Sequence, residues 1–500
     1  MNFNSLSGSA KMYKKLQIAA LGQAMPSGEV PNIAILCAVD RFSNIRLIEN
    51  IIGGVKAKGG NVTVVDVPAF GFWSKLNPMT AKYALSFKRV AASNAEAIIK
   101  CGLYDGVVIV SDCDITAAGL LEGAARSNCP ALIISTGVCA GTSNFELSLC
   151  GRVAAGKLNA RESETCIQTF FSEFEKLPSI YFNSANTFFI LMEAMGLCVP
   201  TASTTHTTSP RHPRNAAATG EAIFENAKNV LSPKKFLTRA ALGNAIALCL
   251  AIGGDISAIY TASELVQIYE KIPHEIIAEF SPKVQLLLEP QAQGCSSIIH
   301  DFGIAAILKQ LSNTPKLIDE TALAYTGEKL KSTLANQVPT EFAPVTKTAR
   351  IVLAQGSACE DGGYIQPAKG TPSSFQGKAW VYNSLEDADK ALTSGSIPDG
   401  SVMFVHNCTD TFVTALAYTI EGLERKIAIV TDGLCDKTGI LAVTRCTPDS
   451  LANESFANIQ SGDQIDIDLG RGRINTNASA KDLKIRAKRN SVRKQTVYFQ

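Results

Sequence analysis

Short, mostly apolar runs alternate with amphipathic stretches through the first third of the chain. NIAILCAV (32–39), NVTVVDV (61–67), YDGVVIV (104–110) and PALIIS (130–135) lack a polar face, so each reads as a strand covered on both sides. Between them, IRLIENIIGGVKAKG (45–59), AKYALSFKRVAASNAEAIIKCG (81–102) and AAGLLEGAARSN (117–128) carry the spacing of helices with one apolar stripe. This alternation predicts an α/β domain, a parallel sheet with helices on both faces. In such sheets ligands sit beyond the carboxyl ends of the strands, and SDCD (111–114) follows one such end.

Residues 184–345 read as mostly helical, interrupted by TASTTHTTSPRHPRN (201–215), whose Ser, Thr, Pro and His content marks a loop. The longest apolar stretch, AALGNAIALCLAIGG (240–254), falls short of the roughly 20 residues a membrane span needs and predicts a buried core helix. ANQVPTEFAPVTKTAR (335–350) is polar and holds two prolines, the mark of a boundary. Beyond it ARIVLAQGS, KAWVYNS, SVMFVHN, KIAIVTDG and DQIDIDL are short strands between Gly, Pro and Asp turns. The chain therefore divides into an α/β domain over 1–345 and a smaller β-rich domain over 346–500.

Composition narrows the class. In 500 residues, 47 Lys+Arg balance 45 Asp+Glu, so charge gives no pull toward nucleic acid or an anionic membrane. The 14 Cys are scattered through apolar runs, no Cys-x-x-Cys occurs, and no secretory segment is evident at the start, which predicts reduced thiols in a cytoplasmic protein. The basic stretch KDLKIRAKRNSVRK (481–494) reads as a solvated terminal helix or tail, or as a dock for an acidic partner.

Taken in order, GGVKAKGGNV, KYALSFKRVAASNAEAI, YDGVVIVSDCDITAAGLLEGAARSNCPALIIS, SANTFFILMEAMGLCVP, TRAALGNAIALCLAIGGDISAI, GSACEDGG, GKAWVYNSLEDADKAL and KIAIVTDG resemble the dihydroxy-acid and 6-phosphogluconate dehydratases across residues 30–480. The resemblance implies a swivelling C-terminal domain, an active site between the domains, a small anionic carboxylate as ligand, and a homodimer or homotetramer. Members of that family use an iron–sulfur cluster held by three Cys, a magnesium site of carboxylates and a modified Lys, and a Ser base.

Position by position, the resemblance places Cys113 and Asp114 on the family's Cys-Asp-Lys, with Ile115 in the Lys position. Phe72 falls where a magnesium carboxylate belongs, and Ser179 where the third cluster Cys belongs. DRFSNIRL (40–47) holds no Cys for the first, although Cys37 precedes it. Asp410 takes the position of a magnesium-binding Glu, and Asp436 that of the Ser base. Ser179, Ser184, Asn186, His206 and Arg211 are the positions implied to meet substrate. On this basis no iron–sulfur cluster is expected, a divalent cation such as magnesium is the remaining cofactor, and Cys113, Asp114 and Asp410 are its candidate ligands.

Two readings stay open. Asp114, Asp410 and Asp436 converge as acid, base or cation ligands in a diverged lyase, or the chain is a non-catalytic relative with a structural or regulatory binding role. Locally, Cys113 and Asp114 read either as part of a metal site or as a packing thiol and a helix-capping carboxylate. His206 and His212, with Arg211 and Arg214, read either as an anion grip or as surface residues without a task.

Overall fold

Strand β1 (Asn32–Ala38) pairs in parallel with β2 (Asn61–Asp66) on one side and β3 (Gly106–Ser111) on the other, and β3 pairs in parallel with β4 (Ala131–Ile134). The resulting order is β2-β1-β3-β4. The computed structural model describes residues 8–20, 30–71, 74, 77–102, 104–138, 149–174, 184–288, 295–338, 340–346, 351–368, 370–409, 411–436, 438–452 and 454–497. Every residue of β1, β3 and β4 is buried, as their unbroken apolar character predicts.

Chain direction explains the helices. From β1 the chain steps to β2 through α1 (Ile45–Ala57), then crosses back through α2 (Ala84–Gly102) to β3 and onward through α3 (Asp114–Arg126) to β4. Right-handed crossovers in opposite directions place α1 on one face of the sheet and α2 with α3 on the other. Later helices complete the layers: α4 (Ser184–Ala194), α5 (Arg211–Lys228), α6 (Arg239–Ala251) and α7 (Ile256–Gln267). α5 packs on α1 through Gly54 and Gly220, where an added Cβ would collide with the Ala217 and Ile51 carbonyls, so only glycine lets the two backbones approach.

Two expectations shift. α3 starts at Asp114, three residues before the apolar pattern begins, because Cys113 already has extended geometry and marks the helix start. The 201–215 stretch is a loop only as far as Pro210, since α5 begins at Arg211 and holds Pro213 in its first turn, where a missing N–H costs nothing.

The chain forms two compact units. The first takes Met1–Phe72, Ser86–Thr142 and Phe174–Ala349, and the second takes Trp73–Leu85, Ser143–Glu173 and Arg350–Gln500. In the second, eight strands close a barrel: β5 (Val352–Gly356), β6 (Cys359–Ile365), β7 (Ser374–Tyr382), β8 (Ser401–Val405), β9 (Ile427–Thr431), β10 (Ala442–Thr447), β11 (Gln464–Asp468) and β12 (Arg473–Thr476), in the order β10-β6-β5-β12-β11-β7-β8-β9. Closure removes the free edges that open sheets must protect.

The apolar runs SVMFV and IAIVT follow from burial on both faces. Val402, Phe404, Ala428 and Val430 fill the barrel with Phe456 and Ile465. The alternate Met403, Val405, Ile427 and Ile429 pack outward against α8 (Leu385–Thr393) and α9 (Thr414–Leu423) through Leu392, Leu416 and Ile420.

Candidate functional site

The order β2-β1-β3-β4 reverses direction between β1 and β3, so their carboxyl ends flank the crevice where open α/β sheets bind ligands. On the β3 side lies SDCD; on the β1 side lies the turn 39–44. In that turn Asp40 accepts hydrogen bonds from the amides of Phe42 (3.3 Å) and Ser43 (3.1 Å) and from the Ser43 hydroxyl, which hold its carboxyl below the usual range. Cys37, the penultimate residue of β1, faces Val110 and Asp66 in register, and burial pushes its thiol up.

Cys113 is placed by its own neighbour. Its amide donates to Ser111 Oγ (3.2 Å), whose hydroxyl donates back to the Cys113 carbonyl (3.0 Å), locking the step from strand to helix. Asp114 follows as the first residue of α3 and is only 2% exposed, with Oδ1 taking the Ile115 amide at 2.9 Å and lying 3.7 Å from Cys113 Sγ. A carboxylate in the first helical turn is favoured by the helix dipole. Ile115 is buried beside it. The segment before α2 reaches the same turn, where the Phe70 amide donates to Thr116 Oγ1 at 2.9 Å.

A thiol and a carboxylate thus stand together at the crevice. Phe72, Ser179 and Asp410 lie outside the described residues, and of Ser184 only its place at the start of α4 is described. Among the described residues no group of three or more His, Cys, Asp or Glu side chains is set to hold a metal ion. Toward an iron–sulfur cluster and magnesium, Cys113 fits as one thiolate and Asp114 as one carboxylate.

Asn186, in the first turn of α4, is fully buried, and neither its amide oxygen nor its nitrogen has a hydrogen-bond partner among the described residues. His206 belongs to the loop fastened beyond β4, and Arg211 opens α5 directly after it. The His206 ring stacks on His300 at 4.3 Å between centroids, and burial, then the neighbouring imidazole, lower its pKa. Arg211 donates through Nη1 to the His300 carbonyl at 2.9 Å.

In the second unit Asp436 is buried, its amide donating to Thr414 Oγ1 (3.0 Å) at the first residue of α9. Nearby Asp432 organises the rim of the barrel, accepting from the amides of Cys408 (2.9 Å) and Ser450 (3.1 Å) and from Ser450 Oγ (2.5 Å). His406, packed against Phe456 at 4.7 Å, is driven by burial down to about 4 and is neutral.

Three residues escaped sequence reasoning. Asp112 lies between Ser111 and Cys113, and burial pushes its carboxyl up. Glu193 ends the apolar stretch of α4, where a lone acid amid FFILM was the available signal; it takes hydrogen bonds from the Thr201 and Ser203 amides (2.8 and 3.1 Å) and from Ser203 Oγ (2.5 Å), and burial pushes it up to about 7. Asp432 sat unread within TDG.

Comparison with known proteins extends over nearly the whole chain. Residues 37–333 match the dihydroxy-acid/6-phosphogluconate dehydratase N-terminal model and residues 338–500 its C-terminal counterpart. The dihydroxy-acid dehydratase of Ignicoccus hospitalis is 28% identical over 471 residues, 87% of this chain and 83% of its own. Those of Caldanaerobacter subterraneus and Pyrococcus abyssi are each 26% identical, over 88% of this chain and 84% and 85% of their own lengths.

These matches overturn the expectation that the chain does without an iron–sulfur cluster. Dihydroxy-acid dehydratases of this family use the cluster and magnesium, whereas the argument for their loss rested on position-by-position resemblance alone: no Cys in 40–47, Phe72, Ile115 and Ser179 in ligand positions, and Asp436 in place of the Ser base, with Phe72 and Ser179 outside the described residues. Matched in both halves, with the parallel sheet in the first and the closed barrel in the second, the chain belongs to the dihydroxy-acid/6-phosphogluconate dehydratase family.

Proposed function

We propose that the protein is a hydro-lyase that removes water from a small dihydroxy or sugar acid beyond the carboxyl ends of β1 and β3, working as a homo-oligomer. The observation that carries this reading is the Cys113–Asp114 pair at the reversal of strand order, in a chain of dehydratase family. In the reaction a base takes the proton from C2, the C3–O bond breaks, and the hydroxyl departs as water with one added proton. The enol left behind tautomerises to a 2-keto acid, so atoms and electrons balance without an oxidant.

The chain's residues suit these tasks. Asp112, whose carboxyl burial pushes up, is suited to deliver the proton to the departing hydroxyl. Asp114 is suited to hold positive charge at the start of α3. Asp436 is the proposed base for C2, and Asn186 offers an unpaired amide to a carboxylate or hydroxyl. A bound cluster and magnesium would supply Lewis acidity toward the hydroxyl, with Cys113 and Asp114 among their ligands.

One observation favours a second reading, a relative that binds hydroxy acids without converting them: buried Ile115 stands where the resemblance implies a cation-binding Lys. The experiment is formation of 2-keto acid by protein kept from oxygen and supplied with iron, sulfide and magnesium. Turnover that falls by about 10²–10⁴ in Asp114→Asn supports the lyase. Binding of the acid without keto acid in the parent protein supports the second reading.

A further inference from the structure

His212 stands in the first turn of α5, an 18-residue helix, and is 8% exposed. Its ring faces the Ser135 carbonyl as hydrogen-bond acceptor, and its Nε2 is buried without a partner among the described residues. Ser135 immediately follows β4, whose Ile134 pairs with Val110 of β3, so it lies level with Ser111, the residue that braces Cys113. His212 therefore belongs to the same rim of the sheet as the Cys113–Asp114 pair.

The loop that leads into its helix is firmly held. The Val138 amide donates to the Thr205 carbonyl (2.9 Å) and the Thr207 amide to the Val138 carbonyl (3.1 Å). Asn215 Nδ2 donates to Thr205 Oγ1 (3.0 Å), and the His212 amide donates to the Ser209 carbonyl (3.0 Å). Gly137, at φ +102°, lies so close to Thr207 that a side chain would not fit. A polar nitrogen left bare in so fixed a setting is costly, and such exceptions in folded chains mark strain, a catalytic role or a group supplied from outside the chain.

Chemistry selects what that is. Burial lowers the pKa of His212, so the ring is neutral near pH 7. With its other nitrogen committed to Ser135, Nε2 carries a lone pair and accepts a proton or a hydrogen bond. An anion has no hydrogen to offer it, whereas a hydroxyl does.

We propose that His212 Nε2 accepts the hydrogen bond of a substrate hydroxyl at the rim of β3 and β4, and so selects hydroxylated over deoxygenated acids. The inference rests on the proposed hydroxy-acid site and adds the group that reads the hydroxyl.

The test separates the two ring nitrogens. His212→Asn keeps an N–H for the Ser135 carbonyl and deletes Nε2; His212→Gln reaches the Nε2 position and gives up the Ser135 contact. Affinities for 2,3-dihydroxybutanoate, 2-hydroxybutanoate, 3-hydroxybutanoate and butanoate are measured by calorimetry on the full-length protein, with melting temperature as the fold control. Expected is a loss of about tenfold or more for the dihydroxy acid in His212→Asn, little change for butanoate, and a native melting temperature. Unchanged affinity for every acid in folded His212→Asn overturns the inference and leaves the hydroxy-acid site standing. If the parent protein binds neither 2,3-dihydroxybutanoate nor gluconate, the hydroxy-acid site itself falls and the inference with it. Should His212→Asn not fold, His212→Gln decides: hydroxyl preference retained supports the role, and preference lost in a folded protein refutes it.

Discussion

Replacing Glu193 by Gln tests whether a buried carboxyl fastens the loop that leads to His206 and His212. Glu193 is held by the Thr201 and Ser203 amides and by Ser203 Oγ, yet burial outweighs these bonds and raises it from the ordinary 4.5 to about 7. A group whose folded pKa lies above its unfolded one stabilises fully below the unfolded value and loses that contribution as pH rises through the folded value. The window is therefore pH 4.5 to just above 7. At about 1.36 kcal/mol for each pH unit of displacement, the contribution lost is about 3 kcal/mol. The amide of the Glu193→Gln variant would present a neutral acceptor to the same backbone N–H groups at every pH. The difference in unfolding free energy between parent and variant, followed by urea titration at pH 5, 6, 7 and 8, should swing by about 3 kcal/mol toward the variant. Hydrogen exchange of the 195–210 segment should localise the effect, with the parent loop opening more often at pH 8. Parallel pH profiles for the two proteins would refute the reasoning.

Gly220→Ala forces a methyl group into the Ile51 carbonyl, so unfolding by urea should show a loss of about 2 kcal/mol or more, against the roughly 1 kcal/mol that Ala gains over Gly in a free helix. Asp432→Ala leaves the Cys408 and Ser450 amides buried without their acceptor; a loss of about 3 kcal/mol or more is expected, with Asp432→Asn intermediate because it keeps one acceptor oxygen, both read by thermal unfolding.

The parallel sheet was legible because burial on both faces leaves a strand no polar position, and β1, β3 and β4 carry none that breaks the run. In the barrel, β8 and β9 were legible for the same reason, Phe404 facing inward and Met403 facing α9. β6 was not: CEDGGYI has glycines and acids where a strand pattern would show alternation, and only pairing with β5 and β10 holds it. β12 is four residues long and is fixed by its neighbours rather than by its own sequence. At the candidate site, Cys113 and Asp114 could be read because strand ends in parallel sheets gather ligands. Asp112 could not, since what distinguishes it is burial of a carboxyl, a property of the folded chain, and Glu193 left only the signal of a lone acid after FFILM. In sequence His206 and His212 read either as an anion grip or as surface residues without a task, yet burial favours their neutral forms, which a list of basic residues does not reveal.

The measurement closest to the central claim is product formation in deuterated water. Protein prepared without oxygen and supplied with iron, sulfide and magnesium is incubated with 2,3-dihydroxy acids and with 6-phosphogluconate, and the products are read by proton NMR. The account predicts a 2-keto acid carrying one deuterium at C3, set there when the enol collects its proton from solvent. Folded, metal-supplied protein that binds these acids and leaves every one unchanged would contradict it.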